Sequence, residues 1–178
     1  MRSCKMKTAY LVFLGLYFLG LMIRAIYEHL KKAGRVNPRS RIIFAIVFFA
    51  MCLMWASWFN MCPVDPLKLS LPPIVKWIGF GTFLGGLGLS IGAVIQLKGL
   101  ENINHIVTKG LFSKIRHPMY VGFILWVFGW AIYHGAVISM FVGFVAILNI
   151  LYWKRLEERE LESNYGEVYS EYRQRTWF

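Results

Sequence analysis

Acidic residues are scarce in this chain: nine Asp and Glu stand against 20 Lys and Arg in 178 residues. Residues 119–153 contain no Asp, Glu, Lys or Arg at all. A run of that length without charge cannot be a solvated surface and must be buried in lipid or protein. Cysteine is also sparse. Cys4, Cys52 and Cys62 are odd in number and form no Cys-x-x-Cys pair, which excludes a disulfide framework and a structural zinc site. The four histidines, His29, His105, His117 and His134, are dispersed, with no two at helical ligand spacing, so no metal partner is expected. No internal repeat or low-complexity linker is present. Proline is confined, with Pro63, Pro66, Pro72 and Pro73 accounting for most of the six, where a chain leaving one span must turn before the next. That segment reads as a connector without chemistry.

Hydrophobic residues make up 57% of the chain and aromatics 17%, with a mean hydropathy of +0.51. Those values predict an all-α integral membrane protein. The uncharged or nearly uncharged blocks are 8–23, 42–61, 77–97 and 119–153. The last is long enough to fold back as a hairpin near Tyr133-His134-Gly135, giving about five transmembrane helices. Its halves, 14 residues over 119–132 and 18 over 136–153, are short; crossing a bilayer core takes roughly 20 residues. The first block follows Arg2, Lys5 and Lys7 but no small-residue cleavage pattern succeeds it, so it reads as a retained span. The organisation expected is residues 1–107, with spans one to three and their connections, followed by residues 108–178, with a basic loop, the hairpin and a charged helical tail, in one structural domain overall. A break in the tail is expected at Gly166, with helix resuming over 168–173.

The formal charge of +11 raises the question of nucleic acid, but the cations sit in the connections between spans, and no nucleic-acid partner is expected. They gather before the second span (Lys31, Lys32, Arg35, Arg39, Arg41), before the hairpin (Lys98, Lys109, Lys114, Arg116) and in the tail (Lys154, Arg155, Arg159, Arg173, Arg175). By the positive-inside rule these segments are cytoplasmic.

If the hairpin crosses and returns, Arg116-His117-Pro118-Met119-Tyr120 and Glu157-Glu158 meet at one membrane face. Pro118 suits a first helical turn, so Arg116 and His117 stand at a helix N-terminus that already favours an anion such as a carboxylate or phosphate. Interfacial anchoring by a snorkelling Arg and His is the alternative. Glu157 and Glu158 are also compatible with an ordinary solvated helix, since Lys154 and Glu158 lie four apart. Tyr165, Tyr169 and Tyr172 fall at helical spacing and read as packing anchors. In the third span, Gly81-x-x-x-Gly85 and Gly88-x-x-x-Gly92 are spacings that let helices approach closely in lipid; Gly86-Leu87-Gly88 could instead open room for a ligand.

The ordered set Thr108-Lys109-Gly110-Leu111-Phe112-Ser113-Lys114-Ile115-Arg116-His117-Pro118-Met119-Tyr120-x-Gly122, an apolar hairpin, Glu157-Glu158, Leu161, Tyr165-Gly166-Glu167, Tyr169 and Tyr172 resembles the integral membrane methyltransferases related to isoprenylcysteine carboxyl methyltransferase and the phospholipid N-methyltransferases. The resemblance implies S-adenosylmethionine as methyl donor, held at the cytoplasmic face between the two motifs. It puts Arg116 and His117 on the donor's carboxylate, and Glu158, with Glu157, on its ammonium. Pro118 would set the helix start, Tyr120 would wall the pocket, Gly122 would permit close approach, and Gly86 and Gly88 match a Gly-x-Gly of phospholipid-methylating relatives. The acceptor implied is lipid-like or prenylated and enters from the bilayer. An isoprenylcysteine-type carboxylate needs no base, being ionised well below neutral pH. A phospholipid or small-amphiphile amine must lose a proton first, to Glu101, Glu157 or water. Arg116, Glu158 and Glu101 are thus the candidate catalytic residues. A non-catalytic membrane scaffold using the same motifs as anchors is the third reading.

Overall fold

The computed structural model describes residues 2–37, 40–97 and 106–178. Glu101, the candidate proton acceptor, lies outside them. The described residues form five α-helices: α1 Arg2–Lys32, α2 Arg41–Met61, α3 Pro73–Gln96, α4 Pro118–His134 and α5 Val137–Arg175. Short 3-10 turns occur at Cys62–Val64 and Gly110–Ser113. No strand is present among the described residues beyond isolated bridges. Four helices are long and apolar enough to cross a membrane, and α4 is a shorter apolar helix. Its 17 residues give about 25 Å at 1.5 Å per residue, against roughly 30 Å of hydrocarbon, so the hairpin's first half is short, as its sequence required. Large apolar side chains such as Ile42 and Phe141 point outward, the arrangement of a chain whose solvent is lipid. The fold is that of an all-α integral membrane protein.

The chain forms two compact units, residues 1–69 with 136–139, and residues 70–135 with 140–178. In the first, α1 and α2 pack where Gly20 meets Ala50 and Met54, and where the buried Tyr17 ring lies 5.6 Å from that of Trp58. The proline-rich connector is more than a turn. Asp65, buried, accepts from the Ser139 backbone N–H at 2.7 Å and its hydroxyl at 2.6 Å through Oδ2, and from Leu67 N–H at 2.9 Å through Oδ1. Ser139 lies in the first turn of α5, where backbone N–H groups have no partner within the helix. Asp65 therefore caps α5 from another segment, with the charge sign that the helix dipole favours.

In the second unit, α3 and α4 meet along small residues. A Cβ on Gly86 would lie 2.6 Å from Gly122 O, one on Gly129 would lie 2.7 Å from Gly79 O, and one on Gly122 would collide with Ser90 Oγ. The expected Gly81/Gly85 and Gly88/Gly92 spacings are not where this contact forms: Gly81, Gly85 and Gly88 have open space around them, and Gly92 reaches only the Leu111 side chain. The stripe that packs is Gly79, Gly86 and Ser90 against Gly122 and Gly129. Gly79 to Gly86 and Gly122 to Gly129 are each seven residues apart, two turns of helix, which keeps them on one face. Gly135, at φ 62° and ψ 30°, ends α4 in the left-handed region and starts the turn into α5. Gly166, at φ 51° and ψ −123°, breaks the helical path inside α5 where a break was expected.

Candidate functional site

The segment before α4 is fixed at several points. Gln96 Oε1, in the last turn of α3, accepts from Leu111 N–H at 2.9 Å. Phe112 is buried in the 3-10 turn, and its carbonyl accepts the Tyr172 hydroxyl at 2.7 Å. Arg116 N–H donates to Trp177 O at 3.0 Å, and Trp177 N–H donates to Lys114 O at 2.8 Å. His117 is the N-cap of α4 and Pro118 its first residue, so the missing N–H of proline falls where no helical bond exists. Ser90 Oγ donates to Met119 O at 3.4 Å, tying α3 to this helix start.

The hairpin brings Glu157 and Glu158 to that helix start, as the sequence required. Arg116 Nε and His117 Nε2 each lie 3.4 Å from Glu158 Oε1, and Lys154 Nζ lies 3.8 Å from it. Tyr120 Oη donates to Glu157 Oε2 at 2.8 Å, and His117 Nδ1 is 3.9 Å from the same oxygen. The rings of His117 and Tyr120 stack at 5.5 Å. Arg116 Nη1 donates to Arg173 O at 2.9 Å, Thr176 O at 2.5 Å and Thr176 Oγ1 at 3.3 Å. The guanidinium and Glu158 side chains are mostly buried, at 11% and 15% exposure, whereas Glu157 is 44% exposed. Lys154, which helical spacing pairs with Glu158, also sits 4.2 Å above the Phe178 ring.

Burial pushes the His117 imidazole down from 6.5 to about 4; Glu158 opposes the shift, while the Lys154 and Arg116 charges add to it. Desolvation outweighs the adjacent carboxylate because the ring is almost wholly enclosed while two cations share that carboxylate. His117 is neutral at pH 7, and its buried Nε2, though 3.4 Å from Glu158 Oε1, makes no hydrogen bond of good geometry. An orphaned polar atom in such a place is costly unless something else completes it. Among the described residues, the contacts of Glu158 fall on Oε1 and those of Arg116 on Nε and Nη1. A guanidinium, a neutral imidazole and a carboxylate in one place are a donor and acceptor set chemically compatible with a small zwitterion.

Arg116, His117, Pro118, Tyr120, Glu157 and Glu158 come together; Gly86, Gly88 and Gly122 do not share their position. Gly86 and Gly122 are taken up by each other in the α3–α4 contact, and Gly88 opens outward. The sequence reading missed Thr176 and Trp177 altogether, and saw Tyr172 only as an anchor. Among the described residues no group of three or more His, Cys, Asp and Glu is placed to hold a metal ion.

Comparison with known proteins bears on the same region. Residues 75–168, more than half of the chain, match the family model described as phospholipid methyltransferase. Protein-S-isoprenylcysteine O-methyltransferase of Schizosaccharomyces pombe is 33% identical over 95 residues, covering 49% of this chain and 37% of that protein. The Xenopus laevis protein of the same name is 28% identical over 183 residues, covering 90% of this chain and 61% of its own length. Protein-S-isoprenylcysteine O-methyltransferase B of Arabidopsis thaliana is 31% identical over 90 residues, covering 49% and 45%. The chain thus spans between about a third and three-fifths of the curated relatives it matches. No solved structure matches it. With its helix-start motif and its glutamate pair both inside the matched region, the chain belongs to the phospholipid methyltransferase family.

Proposed function

We propose that this protein transfers a methyl group from S-adenosylmethionine to the carboxylate of an isoprenylcysteine-like acceptor at the cytoplasmic face of the membrane. The observation that carries the reading is the convergence of Arg116, His117 and Glu158 within 3.4 Å contacts at the start of α4. The names of the curated relatives support the acceptor. Bound there, the donor supplies an activated methyl on a sulfonium. The chain's own residues do the holding. Arg116, fixed on three sides, offers Nη2 to the donor carboxylate, and the neutral His117 offers an imidazole that costs no charge desolvation. Glu158 keeps Oε2 for the ammonium. Tyr120, stacked on His117 and hydrogen-bonded to Glu157, walls the same space. Positioning and exclusion of water are what such a site contributes. A carboxylate acceptor asks for no base, and none need be assigned.

One observation favours a second reading, methylation of a phospholipid or small-amphiphile amine. In that reading Glu157, half exposed and joined to Tyr120, takes a proton from an acceptor ammonium and passes it to water. The two are separated by incubating the detergent-purified protein with methyl-labelled S-adenosylmethionine, total lipid and prenylcysteine analogues, then identifying the labelled product. Label in the prenylcysteine analogue is the expected result. Label in phospholipid head groups alone replaces the first reading with the second, and no donor binding at all removes both and leaves a membrane scaffold.

A further inference from the structure

Much of the hydrogen bonding at the candidate site comes from residues 173–177, which lie beyond its motifs. Residues 172–177 run alongside residues 112–116 and are joined to them by hydrogen bonds from four different groups. Tyr172 Oη donates to Phe112 O at 2.7 Å. Trp177 N–H donates to Lys114 O at 2.8 Å, and Arg116 N–H to Trp177 O at 3.0 Å, forming a parallel bridge between Ile115 and Trp177. Arg116 Nη1 then reaches Arg173 O, Thr176 O and Thr176 Oγ1. Thr176 Oγ1 in turn donates to Tyr172 O at 2.7 Å, which holds the hydroxyl oriented toward the guanidinium. Both the backbone and the side chain of Arg116 are therefore positioned by one segment.

A guanidinium can meet a carboxylate with Nε and one Nη, or with both Nη groups. Here Nε faces Glu158 and Nη1 is committed to three oxygens of residues 173 and 176. A fork fixed in that way turns Nη2 in one chosen direction and loses little rotamer freedom when a ligand arrives. The Break at Gly166 lets the end of α5 leave its original line before this pairing begins.

We propose that residues 172–177 form a strap that positions Arg116 for the methyl donor, with Thr176 and the Trp177 backbone as positioning groups. The inference rests on the reading of Arg116 as a donor-carboxylate ligand. It distinguishes the Trp177 backbone, which carries the pairing, from the Trp177 ring, which is 63% exposed.

The test is S-adenosylmethionine affinity of the detergent-purified full chain, measured by calorimetry on six variants alongside thermal unfolding. Trp177→Pro removes one hydrogen bond of the bridge and restricts Thr176, and should raise the donor dissociation constant about tenfold. Trp177→Ala keeps the backbone N–H and should stay within about twofold of the parent. Thr176→Val should weaken donor binding about threefold to fivefold, and Thr176→Ser should restore it. In an Arg116→Lys background, which keeps the charge but not the fork, Trp177→Pro should cost little more, because groups acting through one another are not additive. Equal affinity of Trp177→Pro and Trp177→Ala, or a full additional loss on top of Arg116→Lys, overturns the strap while the donor site stands. Absence of donor binding by the unmodified protein overturns the functional reading, and the strap with it.

Discussion

Acidification should expose the buried histidine. His117 has an imidazole held down to about 4 from 6.5, chiefly by burial. The sign follows from proton binding: between pH 6.5 and about 4 the unfolded chain holds a proton on this ring that the folded chain does not. Folding stability from this group is therefore complete above pH 6.5, falls by roughly 1.4 kcal/mol per pH unit below it, and levels off below about pH 4. The whole loss is about 3 kcal/mol, a large share of ordinary folding stability. Glu157, Glu158, Lys154, Arg116 and Tyr120 surround the ring, so the total pH dependence is not that of His117 alone. A difference curve isolates it. Unfolding of the parent and of His117→Gln in detergent micelles, followed by tryptophan fluorescence from pH 7.5 to pH 4, should show the parent losing its advantage as the pH falls through this window. Parallel curves, with a constant gap at every pH, would refute the claim that His117 is buried and neutral.

The α3–α4 contact makes a selective demand on glycine. Gly122→Ala and Gly86→Ala should each destabilise by about 1–3 kcal/mol through overpacking against backbone, whereas Gly81→Ala and Gly85→Ala, where a methyl meets open space, should be neutral or slightly stabilising; unfolding midpoints in detergent decide it. Gly88→Ala should be equally harmless to folding, so a selective loss of donor affinity in that variant would mark Gly88 as part of the binding site. Asp65→Ala strands three donors of Ser139 and Leu67 and should cost about 3 kcal/mol, with Ser139→Ala losing about 1 kcal/mol, both read from the same unfolding measurement.

What could be read from the sequence was what hydropathy and chain length impose. A charge-free run over 119–153 that folds back as a hairpin carries His117 and Glu158 to one place; the structure puts them 3.4 Å apart. Gly166 showed itself because few other residues stop a helix inside a charged tail. The glycine stripe was visible as composition but not as register. Which glycines pack depends on the face the partner helix presents, and Gly79 with Gly86 was hidden behind the more familiar four-residue spacings. Asp65 and Ser139 are 74 positions apart, each a single polar residue in an unremarkable neighbourhood. The strap left no trace in the sequence because most of its bonds run through backbone atoms, which every residue carries.

The claim on which the rest depends is that a methyl donor binds between the start of α4 and the glutamate pair on α5. Ultraviolet cross-linking of methyl-labelled S-adenosylmethionine to the detergent-purified protein, followed by peptide mapping, reads that location without requiring turnover or a known acceptor. The account predicts label in peptides containing Arg116 to Gly122 or Lys154 to Glu158, lost when Glu158→Gln and Arg116→Gln are combined. Label confined to peptides of α1 and α2, or label that persists undiminished in the double variant, would contradict it.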